Sequence, residues 1–507
     1  MNNTVWKKIS CKNHVEWLIL LSIILLSLAL RLYHLDFLPL WYDEAVSYTR
    51  ALMPIDEIIE KTIATDTWPP LYYIFLHYVI YPGSSEFTIR LSSTLFGILT
   101  IWVIYRIAKI INSSQTAWVS ALLMAVSPLH ITYSQEARGY ALYCFAASVS
   151  LLGLAIAVKT VLISVDKKID PNRLYLGLLV YTLGSVVVLY TNNIGIFYVF
   201  SANIFGLYWL WTLGFNKRIL AAWLISNLAI LFLWLPWIPG LLEQKQNSTD
   251  SLNWFGSDLN ALIDMINDMW ITYVWKYRPL FTLILLSVLV FTWRSLQSKL
   301  IWLVFLICFS LVPVLLAYTT SQFTAVLVSR AFIWVSIPFL IILALAICHI
   351  KQWWLKTGTL LFLILLSAKG NMTYFQDFSK ERWDWVASHI ASNYQLGDVV
   401  LITPGYMKKA LSYYVDKENA PIIIESFPDD HDTINNYDIK KLEDNRNLYQ
   451  RIWLIKVHST DPNNLLVPSL KQVMGIKTLN YFPRTGFSSN CETAACIEVY
   501  LFESLSP

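Results

Sequence analysis

Two adjacent carboxylates, Asp43 and Glu44, follow the first long apolar run of the chain within Leu40-Trp41-Tyr42-Asp43-Glu44-Ala45. A second ionisable cluster, Gln135-Glu136-Ala137-Arg138-Gly139-Tyr140, closes a later apolar run. Charged groups beside hydrocarbon are costly and mark places where chemistry or transport occurs. Neighbours on a helix point about 100° apart, so the two acids of a pair can do different jobs: one a base, the other a hold on loop or substrate. The plainer reading of Asp43 and Glu44 is a pair of acids favouring a helix start. Arg138 presents a forked donor that matches phosphate geometry. Its plainer reading is a neutralised ion pair with Glu136 at a helix end.

Arg90 and Arg330 also open helices, and Arg90 could equally snorkel to the interface. Arg330 follows Thr319-Thr320-Ser321-Gln322, a polar stretch tolerated at membrane depth only inside protein or beside a water-filled cavity. His130 is more often a hydrogen-bonded structural residue than a base. Lys276 and Arg278 read as solvated interface charges.

The elements that position these groups are membrane helices. The 507 residues are 56% hydrophobic and 14% charged, against about 25% charge in a soluble domain. Mean hydropathy is +0.50. Trp 22, Tyr 28 and Phe 25 suit a chain with many interfaces. The net charge of +4 suggests loop bias, not a nucleic-acid partner. Spans of about twenty apolar residues are expected near 15–33, 88–107, 116–131, 138–158, 174–190, 194–213, 219–239, 277–293, 300–318, 331–349 and 358–373. The first has no small-residue cleavage site.

Basic residues set the orientation. Lys7, Lys8, Lys12, Arg106, Lys109, Lys159, Lys167, Lys168, Arg173, Lys217, Arg218, Arg294, Lys299, Lys351 and Lys356 fall inside on this count. The count requires that Trp68-Pro69-Pro70-Leu71 to Tyr81 not cross, and its length suits an interfacial or re-entrant helix. Asp43, Arg90, Glu136, Arg138, Asn192, Asn193, Arg330 and the tail then share the outer face, in one expected cavity.

Between Trp41 and Ile63 the sequence predicts two short amphipathic helices broken at Pro54. From Gly240 to Lys276 it predicts a long outer loop, with Trp254, Phe255, Leu259, Leu262, Ile263, Ile266 and Trp270 spaced for a helix on the membrane. Residues 1–374 are expected to form the membrane domain and 375–507 a small extracytoplasmic α/β domain. In the latter, Lys380–Tyr394 and Tyr406–Val415 read as helices, and Asp398–Thr403, Ile422–Ile424, Ile452–Ile455 and Cys496–Phe502 as strands. No glycine-rich phosphate loop is present. Cys144, Cys308 and Cys348 read as packing residues. Cys491 and Cys496 can pair if the tail is outside the cytoplasm, and no nearby His or second Cys pair completes a metal set.

Together these runs resemble the polyprenyl-phosphate-sugar-dependent glycosyltransferases of the GT-C fold, a group that includes protein O-mannosyltransferases and the bacterial lipid A aminoarabinose transferase. The nearest likeness is to bacterial family 39-type enzymes. It rests on Trp41-Tyr42-Asp43-Glu44, Asp66-Thr67-Trp68-Pro69-Pro70-Leu71-Tyr72-Tyr73, Arg90-Leu91, His130 through Tyr143, and Glu381-Arg382-Trp383 to Val400. The resemblance implies an inverting transfer to a lipid, glycan or protein acceptor on the outer face of the cytoplasmic membrane. It implies Asp43 as base, with Glu44 and Glu136 completing the catalytic acids. It implies Glu136 and Arg138 at a second-loop site that meets acceptor or lipid phosphate, and Arg330 at the phosphate; Arg90 is expected at the phosphate as well, and Tyr42, Asp66, His130 and Tyr133 at the substrate.

Two departures stand out. Trp68 occupies the place of a His before the Pro-Pro pair, and Ala331 follows Arg330 where a Tyr is usual. No nucleotide sugar, nucleic acid or metal ligand set is expected. No cofactor is required, although a divalent metal is possible. The rival reading is a polytopic transporter or flippase of a lipid-linked or anionic substrate, against which no pair of broken helices recurs in two halves.

Overall fold

The computed structural model describes residues 2–164, 169–247, 258–269, 272–273, 300–324, 326–377, 380–418, 420–428, 434–445, 450–457, 461, 464–482 and 496–504. The expected span 277–293 lies outside these residues, as do Lys167, Lys168, Trp254, Phe255, Trp270, Lys276, Arg278, Arg294, Lys299 and Cys491. Two compact units divide the chain. The first comprises Met1–Tyr33, Met53–Val79 and Arg90–Tyr374; the second comprises His34–Leu52, Ile80–Ile89 and Phe375–Pro507.

In chain order the helices begin α1 Asn2–Leu32, α2 Tyr42–Ala51, α3 Ile55–Thr65, α4 Leu71–His77, α5 Glu86–Ile111, α6 Ser114–Val126, α7 Pro128–Ser134, α8 Tyr140–Ile163, α9 Pro171–Thr191, α10 Gly195–Thr212, α11 Lys217–Trp234, α12 Ile238–Asn247 and α13 Leu259–Asp268. Four more follow in the first unit or at its end: Leu300–Ser321, the 3-10 turn Ser329–Val335 running into Ser336–His349, and Trp353–Asp377.

Among the described residues seven helices are long and apolar enough to cross a membrane, and α6 with α7 makes an eighth if that pair, bent by 58°, is one span. The chain is a polytopic helical membrane protein. The count is lower than the eleven expected. One expected span is undescribed, and two others are helices with diluted apolar character. In α10, Asn203 and several Tyr and Trp interrupt the run; in Trp353–Asp377, Lys356, Lys369 and Asn371 do. The segment after Pro70 folds as α4, seven residues long. At about 1.5 Å per residue it is far too short for a hydrocarbon layer of about 30 Å. Pro54 separates α2 from α3 as expected. The expected loop from Gly240 is corrected at its start. There α11 continues through the 3-10 turn Leu235–Trp237 into α12, so that Lys217–Gln246 forms one apolar helical run.

Helices α8 and α9 touch backbone to backbone. A Cβ on Gly153 would lie 2.4 Å from the Tyr181 amide nitrogen, and one on Gly184 would lie 2.7 Å from that of Ser150. Small residues permit this approach, and Ser150 Oγ donates to Tyr181 O across it. The bend between α6 and α7 is the fold's other device. Pro128 cannot supply an amide for a continuous helix, so carbonyls are released at the break. Arg31, fully buried, donates to Ala125 O at 3.0 Å and Met124 O at 3.3 Å; Asn371 Nδ2 donates to Val126 O at 2.8 Å. A buried cation thereby satisfies groups that lipid could not.

The second unit carries a five-stranded sheet of order β2-β1-β3-β5-β4: β1 Asp398–Thr403, β2 Ile424–Ser426, β3 Arg451–Lys456, β4 Met474–Phe482 and β5 Ile497–Ser504. Strand β1 pairs in parallel with β2 and β3, while β5 runs antiparallel to β3 and β4. Helices Trp383–Asn393 and Lys408–Lys417 fall where the sequence places them. The C-terminal region is thus mixed α/β. Cys496 is disulfide-bonded, and Cys144, Cys308 and Cys348 are free.

Candidate active site

In the first unit, the turn ahead of α4 is built around Asp66. Its Oδ1 accepts from the amides of Thr67 (2.7 Å) and Trp68 (3.1 Å), and its Oδ2 accepts from Tyr73 Oη at 2.6 Å. Tyr73 Oη in turn accepts from Arg138 Nη1 at 2.9 Å. The same turn is pinned from behind. Gln244 Nε2 donates to Thr62 O and Trp68 O, and Asn193 Nδ2 donates to Thr67 O and Gln244 Oε1. The guanidinium of buried Arg138 lies 5.4 Å from the centre of the Trp68 ring. That ring meets Tyr140 edge-on at 4.7 Å, and half-buried Arg330 lies 5.9 Å from the Tyr140 ring centre. Two cations therefore face two aromatic rings that touch. A ring face holds a cation without neutralising it, since the attraction is to the quadrupole.

Glu136, also buried, joins this group electrostatically. Its charge and that of Arg330 both act on the Tyr133 hydroxyl, and the Tyr133 ring packs 4.9 Å from Tyr140. Tyr273 donates to or accepts from Thr132 at 3.2 Å. Burial pushes the Tyr273 hydroxyl above its usual range; Glu136 and Asp268 push it further, against the Thr132 hydrogen bond. Asp268 Oδ2 accepts from Ser329 Oγ at 2.9 Å, next to Arg330.

His130 is buried and shares a 2.7 Å hydrogen bond with Ser336 Oγ, which itself donates to Ile333 O. Arg90 is buried in the second turn of α5; Ser93, one turn on, donates to Arg138 O at 3.3 Å. The structure thus brings Asp66, Tyr133, Glu136, Arg138 and Arg330 into one neighbourhood and sets His130 in a helix–helix hydrogen bond.

In the second unit, α2 starts with Tyr42, Asp43 and Glu44. Glu44 is fully buried and receives Lys380 Nζ at 2.6 Å, while the same ammonium lies 5.9 Å from the Trp41 ring centre. Asp43 is half-buried, and the Tyr42 ring meets Tyr406 edge-on at 5.0 Å. The adjacent acids therefore differ in environment, as a 100° separation demands. Helix α2 is tied down further by Leu40 N donating to Tyr414 Oη at 2.7 Å.

Three partners of these groups or of the fold escape sequence reading. Lys380 lies 336 positions from Glu44. Tyr73 is one of two tyrosines in the quoted motif, and only its contact with Asp66 and Arg138 singles it out. Arg31 sits at the end of an apolar run, where anchoring is the ordinary reading. Among the described residues no group of three or more His, Cys, Asp or Glu could hold a metal ion.

No protein-family model and no curated protein sequence matches this chain. Solved structures do. ArnT from Cupriavidus metallidurans in the apo state aligns with a TM-score of 0.61 at 11% identity, covering 96% of this chain and 98% of that one. The same enzyme bound to undecaprenyl phosphate gives 0.55 at 11% identity, covering 95% and 97%. The apo oligosaccharyltransferase of Archaeoglobus fulgidus gives 0.56 at 10% identity, covering 87% and 69%. At such identities the likeness is one of fold, and the fold is that of GT-C glycosyltransferases.

Proposed function

We propose that the protein is a membrane glycosyltransferase that moves a sugar from a polyprenyl-phosphate donor to an envelope lipid, glycan or protein on the extracytoplasmic face. The observation that carries this reading is the pair Arg138 and Arg330 set against the touching rings of Trp68 and Tyr140. Such cations suit a lipid phosphate that gains charge as the sugar leaves. The GT-C fold supports the reading, as does the undecaprenyl phosphate bound by the ArnT relative.

In the proposed step Asp43 takes the proton of the acceptor hydroxyl. The acceptor oxygen attacks the anomeric carbon, the bond from that carbon to the phosphate oxygen breaks, and polyprenyl phosphate departs with the electron pair. One displacement inverts the anomeric centre. Glu44, ion-paired to Lys380, positions Asp43 by fixing α2. Asp66 and Tyr73 orient Arg138. Glu136 sets the charge around Tyr133 and Tyr273. We assign no cofactor to this step, and a divalent ion could join it.

The test is transfer of radiolabelled sugar in membranes carrying Asp43→Asn. A positioned base contributes about 10²–10⁴-fold, so transfer should fall by that factor while protein level and donor binding persist. Near-normal turnover removes Asp43 from the role. Label crossing the bilayer without a new glycosidic bond replaces transfer with transport.

A further inference from the structure

The second unit contains a cavity of about 970 Å³ bounded by α2, the turn at Pro82-Gly83 and the helix Lys408–Lys417. Its volume is at the upper end of small-molecule pockets, about 300–1,000 Å³. Three tyrosines, Tyr48, Tyr406 and Tyr413, and three lysines, Lys408, Lys409 and Lys417, line it, with Asp416 as the acid on its wall.

The wall is assembled from three stretches distant in sequence and is braced. Tyr48 Oη accepts from Gly83 N at 2.9 Å, and Tyr413 Oη donates to Ser84 O at 2.9 Å. The Tyr48 and Tyr413 rings meet edge-on at 4.8 Å. Lys417 pairs with Glu86 at 2.8 Å and lies 4.4 Å from the Tyr413 ring centre. Gly83 holds a φ of +83°, the left-handed conformation that a glycine adopts without strain. Tyr406 and Lys408 stay exposed at the mouth.

The cavity is also lined in part by the helix that carries the proposed base. Tyr406 touches Tyr42, the residue before Asp43, while Tyr48 and Thr49 come from the other end of the same short helix. Asp43 and Tyr48 are five positions apart on this helix, about 7–8 Å along its axis at 1.5 Å per residue.

We propose that this cavity is the acceptor site and that the acceptor is an anionic glycan, its sugar rings against the tyrosines and its carboxylates or phosphates toward the lysines. The assignment of the glycan as acceptor rests on the transferase reading; the binding does not. Lysine ammoniums are point charges suited to anionic groups, and the aromatic rings of the wall offer flat surfaces for sugar rings among its hydroxyls and charges. Three lysines against Asp416, with Lys417 also paired to Glu86, leave a modest positive balance that favours an anionic ligand over a neutral one.

The test is titration calorimetry on the full-length protein in detergent, with tetragalacturonate, maltotetraose and inorganic phosphate as probes. Tetragalacturonate should bind at least about tenfold more tightly than maltotetraose and should weaken as salt rises. Tyr406→Ala and Lys408→Glu, both at exposed positions, should each weaken it about tenfold without lowering the melting temperature. Asp43→Asn should bind it as the wild type does. No tetragalacturonate binding, equal affinity for maltotetraose, unaltered binding in both variants, or phosphate alone matching tetragalacturonate would overturn the proposal. Normal transfer by Asp43→Asn alongside the expected binding would instead remove the base assignment and leave the glycan site standing.

Discussion

Glu44 in the second unit and Asp66 in the first are held in opposite ways. Glu44 is fully buried and meets a lysine directly at 2.6 Å. Asp66, half-buried, accepts from two backbone amides and from the Tyr73 phenol, whose oxygen accepts in turn from Arg138. Direct pairing in a low-dielectric interior cancels charge and fixes structure. The shared phenol links Asp66 to Arg138, and the Arg138 guanidinium also lies 5.4 Å from the centre of the Trp68 ring. The contrast is between a carboxylate held by a buried ion pair and one held by a turn and a tyrosine.

The comparison can be broken at several points. Lys380→Met should have the largest effect, because it leaves Glu44 buried without its cation, a loss of about 3–5 kcal/mol. A thermal melt of the detergent-solubilised variant measures it, and Glu44→Gln with Lys380→Met should recover most of the loss. A single variant as stable as wild type would show that the pair does not hold α2. Arg138→Met should lower transfer by about 10²–10³-fold with little change in melting temperature, since the role proposed for it is toward the phosphate.

Tyr73→Phe keeps the ring but removes the hydroxyl between Asp66 and Arg138. We expect about a tenfold loss of transfer, from a missing hydrogen bond of order 1–3 kcal/mol; an unchanged rate would cut Asp66 out of the relay. The smallest effect concerns His389, packed between Trp453 and Phe482 and bonded to Asn480. Burial holds its imidazole below the ordinary range. The unfolded chain then binds the extra proton first, so stability is full above about pH 6.5 and falls as the pH drops below it. His389→Leu should flatten that fall in pH-resolved melts.

The strand runs at β1 and β3 were legible because almost every residue is buried, giving unbroken apolar stretches. Strand β4 was not, because it lies at the sheet edge with most of its residues partly or wholly exposed and reads as polar, with Lys477 and Asn480 in it. The same logic divides the site. Glu136 and Arg138 stand out as charges at an apolar boundary, whereas Asp66 enters only through the motif that carries the family resemblance. Lys380 does not, since nothing local ties it to Glu44. Trp68 could be flagged only as a departure from a usual His; its ring beneath Arg138 is a tertiary fact. Arg31 reads as an anchor at a helix end, yet the bend at Pro128 gives it backbone carbonyls to hold.

The most direct test of the central claim is titration of polyprenyl phosphate, the leaving group, into wild type, Arg138→Met and Asp43→Asn. The account predicts binding at least about tenfold weaker for Arg138→Met and unchanged for Asp43→Asn. Equal affinity across all three proteins would contradict it.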